Sequence, residues 1–190
     1  MQIISGYFKG KKLYSNQDTT TRPLTSRLKI TLFDILSHHI DKDLTNYNII
    51  DCFAGFGNFG LECLSRGSQN IYLIENNQET LKILSKNLNL FHTKKNYLHP
   101  ITKDFFQLTS NDFKNLNPLN KIIIFLDPPY NQNLIYKSIE KIISLNIITK
   151  DTIFILKTED TFQLNKNQLP IQIHNHLQKK ISSSLIHLLN

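Results

Sequence analysis

Residues 51–60 read Asp51-Cys52-Phe53-Ala54-Gly55-Phe56-Gly57-Asn58-Phe59-Gly60, and they give the strongest indication of the fold of this chain. Three glycines in this segment have the spacing G-x-G-x-x-G, namely Gly55, Gly57 and Gly60. Residues 47–50 predict a strand before the segment, and residues 61–66 predict a helix after it that Gly67 closes. Glycine permits a tight turn and lets a ligand approach the backbone closely. We therefore predict a strand, a ligand-binding turn and a helix.

The next predicted strand covers residues 70–74, and Glu75 follows it directly. In nucleotide-binding sheets, an acidic residue at this place binds ribose hydroxyl groups. The glycine spacing alone does not distinguish nicotinamide, flavin and S-adenosylmethionine binding, so all three stay open at this point.

A second segment, Asp127-Pro128-Pro129-Tyr130, follows the apolar residues 122–126, which predict another strand. Proline donates no N–H and restricts the residue before it, so backbone carbonyls here are able to point out of the sheet. An acid, these carbonyls and an aromatic ring make a small polar pocket with a stacking wall. Such a pocket suits a flat ring that carries an amine.

Helices and strands alternate along the middle of the chain, which indicates an α/β fold with a parallel sheet covered on both faces. A helix begins after Thr25 or Ser26, and the other predicted elements are helices over 77–91 and 133–146 and strands over 96–101 and 152–157. Ligands bind such sheets outside the carboxyl ends of the strands. The glycine turn, Glu75, Asp104 and Asp127 are all predicted at that rim, so we expect one site there.

Two hairpins are predicted at the ends of the chain. Residues 2–5 and 11–14 predict a short N-terminal hairpin, whereas residues 171–177 and 181–189 predict two strands joined by Lys179-Lys180. We expect the second pair to form an antiparallel hairpin on the sheet edge. The predicted division is a basic hairpin and loop extension over residues 1–25 and one domain over residues 26–190.

Composition limits the function only loosely. The chain has 190 residues, a formal net charge of +7 and a pI near 9.3, which suit one domain and favour a polyanionic partner weakly. Cys52 and Cys63 form no disulfide or metal pattern, and the seven histidines have no zinc spacing, so we predict no metal and place the histidines at or near the surface. We find no secretory signal and no apolar run of membrane-spanning length. We expect a cytoplasmic monomer without a membrane partner.

The chain resembles the class I S-adenosylmethionine-dependent methyltransferases, and specifically the RsmD-type 16S rRNA (guanine-N2)-methyltransferases. The resemblance spans nearly the whole chain and rests on an ordered set of segments: Ile3–Gly6, Lys9–Leu13, Arg22–Arg27, Thr31–Phe33, Asp51–Gly55, Gly60–Glu62, Ser65–Gly67, Glu75 and Asp127–Tyr130. It implies a Rossmann-like, seven-stranded sheet with helices on both faces. It also implies S-adenosyl-L-methionine as cofactor and a guanine of 16S rRNA in the small ribosomal subunit as substrate.

The chemistry of the residues and the resemblance together predict a role for each group of candidate residues. The cofactor-binding residues are Asp51, Phe53, Ala54, Gly55, Gly57, Gly60, Glu75, Asn76, Asp104 and Phe105. The catalytic segment is Asp127, Pro128, Pro129 and Tyr130, in which the Asp127 carboxylate and the Pro128 carbonyl accept the amine hydrogens and Tyr130 stacks on the base. The RNA-binding residues are Lys9, Lys11, Lys12, Arg22, Arg27 and Lys29. Asp104 is equally compatible with a helix N-cap.

Three residues depart from the family pattern, and two other functions stay open. Phe56 replaces a small residue between the glycines, Lys157 ends a late strand where relatives often carry a carboxylate, and Ser182 stands in a turn that often contains glycine. A DNA adenine or cytosine amino-methyltransferase would use the same four-residue pocket. A nonenzymatic RNA-binding factor for ribosome assembly would retain the fold without turnover.

Overall fold

The computed structural model describes residues 1–16, 24–40, 43–129 and 132–190. Its described residues form a seven-stranded sheet and four α-helices. The strands are β1 (Tyr47–Asp51), β2 (Asn70–Ile74), β3 (Leu98–Ile101), β4 (Lys121–Leu126), β5 (Ile153–Glu159), β6 (His176–Ile181) and β7 (Ser184–Leu189). The helices are α1 (Ser26–Ser37), α2 (Asn58–Ser65), α3 (Gln78–Asn89) and α4 (Gln132–Ser144).

The strand order is β3-β2-β1-β4-β5-β7-β6. The first five strands in this order are parallel, whereas β7 pairs antiparallel with both β5 and β6. The chain moves from β1 outward to β3 on one side, and then from β4 to β5 on the other. The order therefore reverses between β1 and β4, which is where open α/β sheets form a ligand-binding crevice.

Helices cover both faces of the sheet, because the central strands are apolar on both sides. Strand β4 is buried over residues 122–126, as expected for a central parallel strand. On one face, α1, α2 and α3 share a core with β1 and β4, through residues such as Leu32, Leu61 and Leu84. On the other face, Ile135, Ile139 and Ile142 of α4 pack in a second core. The predicted α/β fold is confirmed.

The N-terminal segment packs on the helices of the first face. Ile3 and Leu13 are buried in the same core as α1, α2 and α3. One antiparallel bridge joins Gln2 and Lys12, and the two sides are also linked by the Ile3 N–H, which donates to the Lys11 carbonyl at 2.9 Å. The two sides of the segment are thus joined by backbone hydrogen bonds around one β-bridge, and they do not form the two regular strands of the predicted hairpin.

Three predictions about local structure are wrong. Helix α2 begins at Asn58, three residues before the predicted start. Lys179 and Lys180 lie within β6, and the chain reverses at residues 182–183, where Ser182 has a positive φ of 56°. His187, predicted at or near the surface, is fully buried, because β7 lies between β5 and β6 and is buried from Leu185 to Leu189.

Candidate active site

The glycine turn after β1 uses its three glycines in three different ways. Gly55 has a φ of 55° and nothing within 4 Å of the place where a Cβ would stand, so its backbone borders open space. Gly57, with a φ of 82°, is the N-cap of α2, and a Cβ there would lie 2.8 Å from Leu84. A Cβ on Gly60 would lie 2.9 Å from Leu73. The first glycine therefore exposes backbone to a ligand, Gly57 leaves room for Leu84 of α3, and Gly60 permits close packing of α2 on β2.

Asp51, at the end of β1, is a buried carboxyl group with only part of its hydrogen-bonding capacity used. Its side chain is 1% exposed, and Oδ2 accepts a hydrogen bond from the Gly60 N–H at 3.1 Å. Oδ1 has no partner among the described residues. Burial, with smaller contributions from the charges of Asp127 and Glu75, raises the pKa of Asp51 to about 8 against the hydrogen bond from Gly60. Asp51 is thus a buried group that a ligand is able to satisfy.

Glu75, directly after β2, connects the glycine turn to the next loop. Its Oε2 accepts a hydrogen bond from the Gly55 N–H at 3.0 Å. Its Oε1 accepts bonds from the backbone N–H groups of Asn76 and Asn77, each at 2.9 Å. Because β1 and β2 are adjacent and parallel, the ends of the two strands meet here. Glu75 therefore fixes the backbone that surrounds the site and presents its carboxylate at the rim.

Asp127, directly after β4, forms a two-pronged ion pair with Lys157 of β5. The Lys157 Nζ donates to Asp127 Oδ1 at 2.7 Å and to Oδ2 at 2.8 Å. The Lys157 side chain is 5% exposed, whereas that of Asp127 is 21% exposed. Burial raises the pKa of Asp127, and the ammonium group of Lys157 acts in the opposite direction.

Sequence reasoning noted Lys157 only as a departure from the family pattern and did not assign it to the site. The signal that locates it is strand register: Leu126 of β4 pairs with Leu156 of β5, so the next residues along both strands lie side by side. That register requires the order of strands in the sheet, which the sequence alone does not contain.

Asp104 caps a short 3-10 turn over Phe105–Gln107. Its Oδ1 accepts a hydrogen bond from the Phe106 N–H at 2.8 Å, and its Oδ2 accepts one from Asn76 Nδ2 at 3.1 Å. The Phe105 ring lies 4.8 Å from that of Phe53, centre to centre. The N-cap alternative for Asp104 is confirmed, and the same carboxylate also faces the site.

A cavity of about 830 Å³ joins these groups outside the carboxyl ends of β1, β2 and β4. Its lining includes every predicted cofactor-binding residue except Gly57 and Gly60, together with Asp127, Pro128, Pro129 and Lys157. Phe56 also lines it, and so lies at the site rather than away from it. Tyr130, the predicted stacking residue, lies outside the described residues. One cavity thus collects most of the described residues of both sequence motifs.

The predicted RNA-binding residues divide into three groups. Lys9, Lys12 and Arg27 are exposed, and Arg22 lies outside the described residues. Lys11 is half-buried, and its Nζ donates to the Leu90 carbonyl at 2.6 Å. Lys29 was predicted wrongly: it is 1% exposed and lies beside Glu62 at 3.4 Å, because it shares the buried face of α1 with Leu32 and Leu36. Its ammonium group is therefore enclosed by the protein.

The described ranges contain neither a metal-binding cluster nor a membrane-spanning helix. No three His, Cys, Asp or Glu side chains in these ranges are placed to hold a metal ion together. None of the helices in the same ranges is both long and apolar enough to cross a membrane.

The fold and this site together define a class I methyltransferase, with β7 inserted antiparallel beside β5 and a carboxylate-lined cavity after β1. The model of one protein family, described as conserved hypothetical protein 95, matches residues 1–189. The chain belongs to this family, the RsmD-type methyltransferases.

Similar proteins come from several bacteria. The chain is 34% identical over 163 residues to ribosomal RNA small subunit methyltransferase D of Buchnera aphidicola from Acyrthosiphon pisum, covering 83% of this chain and 77% of that protein. The protein of the same name from Haemophilus influenzae is 29% identical over 162 residues, covering 84% and 79%. A solved structure of the candidate methyltransferase yhhF from Escherichia coli matches with a TM-score of 0.76 and 26% identity, covering 100% of this chain and 96% of that one.

Proposed function

We propose that this protein transfers a methyl group from S-adenosyl-L-methionine to the exocyclic N2 amine of a guanine in 16S rRNA of the small ribosomal subunit, in the cytoplasm. The observation that carries the proposal is the single cavity that brings the glycine turn and Glu75 together with Asp127, Pro128 and Pro129. A nucleotide-like cofactor and an amine-bearing base would meet in it.

The charges at the cavity suit this cofactor. S-adenosylmethionine carries a sulfonium and an ammonium group, and it supplies an activated methyl group when bound. Asp51, Glu75 and Asp127 all border the cavity, and the last two raise the pKa of Asp51 by like-charge repulsion. A bound cation relieves that repulsion, and an ammonium group is able to donate to the Oδ1 of Asp51 that has no partner in the described ranges. In this proposal Glu75 binds the ribose, and Asp104 and Phe105 border the adenine.

The segment 127–130 supplies what the acceptor base needs. The lone pair of the guanine N2 is delocalised into the ring, so the amine must be held in line with the methyl group for nitrogen to attack. The Asp127 carboxylate and the Pro128 carbonyl would accept the two amine hydrogens and stabilise the positive charge that develops on nitrogen. The methylated nitrogen is strongly acidic, so its proton leaves to Asp127 or to water. Tyr130 is proposed to stack on the base.

The substrate class follows from the relatives named ribosomal RNA small subunit methyltransferase D. The exposed cations Lys9, Lys12 and Arg27 support a polyanionic partner, because each phosphate contact adds affinity that salt weakens. In this proposal the protein acts as a monomer and uses no metal ion.

Methyl transfer from labelled S-adenosylmethionine tests the proposal. Unmodified small ribosomal subunits, free 16S rRNA and duplex DNA are offered in parallel, and each product is digested to nucleosides. Label in N2-methylguanosine of the rRNA is expected. Label only in adenine or cytosine of DNA would replace it with the DNA amino-methyltransferase alternative, and cofactor binding without any label would favour a nonenzymatic assembly factor.

The Asp127→Ala variant tests the assignment of the base pocket. Loss of this acceptor should lower the transfer rate by roughly 100- to 1,000-fold, because it stabilises charge that develops during the reaction. Cofactor affinity should stay within a few-fold. Asp151→Ala, at an exposed position just before β5, is the matched control. A normal rate for Asp127→Ala would show that the catalytic assignment is wrong.

A further inference from the structure

Lys157 is a buried cation at a place where the proposed chemistry has no direct use for one. It lies on β5, its side chain is 5% exposed, and it reaches the cavity beside Asp127. Its neighbours along the strand, Ile155 and Leu156, are fully buried apolar residues. Burial of an ammonium group is unfavourable unless a partner with good geometry compensates it. Asp127 is such a partner, because Lys157 Nζ contacts both of its oxygens at 2.7 and 2.8 Å.

The two partners differ in their access to the cavity. The Asp127 side chain is four times as exposed as that of Lys157, at 21% against 5%. Lys157 therefore holds the carboxylate from its protein side, and Asp127 faces the space where the base is proposed to bind. Each carboxylate oxygen has two lone pairs, so an oxygen that accepts from Lys157 is still able to accept from an amine.

Among the described residues, the charged groups that act on Asp127 come from two neighbouring strands. Lys157 of β5 favours the anion, whereas Asp51 at the end of β1 repels it. Glu75 follows β2, which lies on the side of β1 away from β4, and its charge acts on Asp51. Burial also disfavours the anion. The ammonium group of Lys157 is the cation in this set that opposes those effects.

We propose that Lys157 is the positioning residue of the base pocket: it fixes the orientation of Asp127 through both oxygens and maintains it as an anion that accepts the amine hydrogens of the substrate. This inference rests on the proposed function. The ion pair makes Asp127 a weaker base, which the reaction tolerates because the methylated nitrogen is itself strongly acidic. Asp127 then acts mainly as a fixed hydrogen-bond acceptor.

Lys157→Met and Lys157→Arg separate this role from a merely structural one. Methionine keeps most of the length of the side chain and removes the charge, whereas arginine keeps the charge. Lys157→Met should raise the acid limb of the pH profile of kcat/KM by roughly one to three pH units, since that is the range by which one opposite charge shifts a carboxyl pKa. At pH 7 its kcat should fall at least tenfold while the cofactor Kd changes by less than about threefold. Lys157→Arg should recover most of the wild-type profile.

One further measurement does not need the RNA substrate. The carboxyl carbon of Asp127 is titrated by NMR in the wild type and in Lys157→Met, with Lys150→Met at an exposed position as control. A higher pKa of Asp127 in Lys157→Met, but not in Lys150→Met, supports the inference that Lys157 controls the charge of Asp127, whether or not any nucleic acid accepts a methyl group. An unchanged Asp127 titration overturns it, as does a Lys157→Met variant that loses thermal stability but keeps the wild-type acid limb.

Discussion

Two buried carboxyl groups lie eleven residues apart, and they have opposite surroundings. Glu62, in α2, is fully buried and accepts four hydrogen bonds: from the N–H groups of Ile4 and Ser5, from Lys29 and from Arg66. Asp51, at the rim of the sheet, is 1% exposed and accepts one, from Gly60. The carboxyl group of Glu62 thus uses its hydrogen-bonding capacity fully, whereas that of Asp51 uses only part of it.

The difference separates structure from function in this molecule. The cluster around Glu62 joins the N-terminal segment to α1 and α2, and its charges are compensated within the protein. The group at Asp51 is poorly compensated, since burial and two like charges raise its pKa. A buried polar atom without a partner costs free energy, and a ligand that supplies the partner recovers it. A buried polar atom that lacks a hydrogen-bond partner is therefore an indication of a binding site.

Replacement of Glu62 by its isosteric amide should have the largest effect on stability. In Glu62→Gln, an NH2 group faces donors, and the Lys29 and Arg66 charges lose their buried counter-ion. We expect the free energy of unfolding to fall by about 3–5 kcal/mol, which is usual when one partner of a buried ion pair is removed. Urea unfolding at constant pH measures it, with Glu140→Gln at an exposed position of α4 as control. A loss of stability as small as that of Glu140→Gln would show that the buried contacts of Glu62 do not stabilise the fold.

His187 extends the comparison to a buried base. Its Nδ1 lies 3.1 Å from His176 Nε2, its Nε2 lies 3.3 Å from Thr158 Oγ1, and burial lowers its pKa from 6.5 to about 4. The His187 ring binds a proton more readily in the unfolded chain than in the folded protein. The neutral, buried ring therefore contributes fully to stability above pH 6.5, and this contribution disappears as the pH falls towards 4. The loss should be roughly 3 kcal/mol.

Thermal or urea unfolding of wild type and His187→Gln between pH 4 and pH 7 measures this effect. The wild type should lose stability more steeply than the variant as the pH falls, because the variant lacks the titrating ring. His38→Gln, at an exposed position, should keep the wild-type slope. Parallel slopes for wild type and His187→Gln would exclude His187 as the source.

Asp51→Asn is the counterpart of Glu62→Gln, and its effect on stability should have the opposite sign. The folded pKa of Asp51 is raised from 3.8 to about 8, so the wild type loses stability as the pH rises through this range, and the asparagine variant does not. The variant should be more stable than the wild type by at least about 1 kcal/mol at pH 8. Its cofactor affinity should fall, because asparagine is unable to ionise when the ammonium group of the cofactor binds beside it. Equal destabilisation by both amide replacements would break the comparison.

Sequence reasoning located most of the site, because strand ends are readable without the fold. Glycine spacing identified the turn, and a strand followed by an acid identified Glu75 and Asp127 as candidates for one rim. The structure brings them to one cavity. Lys157 was missed as a site residue because its position depends on the pairing of β4 with β5.

For two of the wrong predictions, the sequence also contained information that favoured the observed structure. Lys29 lies three and seven residues before Leu32 and Leu36, so the helical period places it on the buried face, but its charge suggested solvent. Lys179-Lys180 resembled a polar turn, although both lie in β6 at the edge of the sheet, where residues 177–180 are all exposed to water. The true turn lacks the usual glycine, because Ser182 takes the positive φ itself.

The position of β7 has a consequence for how the chain assembles. This strand is the last in sequence, yet it lies between β5 and β6 and pairs with both. Until it docks, β5 presents an apolar row of unpaired backbone groups, including Ile155 and Leu156, and β6 has no neighbour. During synthesis the sheet therefore closes only after residues 184–189 have emerged. A chain that ends before Ser184 would keep its glycine turn but would expose the unpaired, apolar edge of β5. We expect such a chain to aggregate rather than to accumulate as a shorter enzyme.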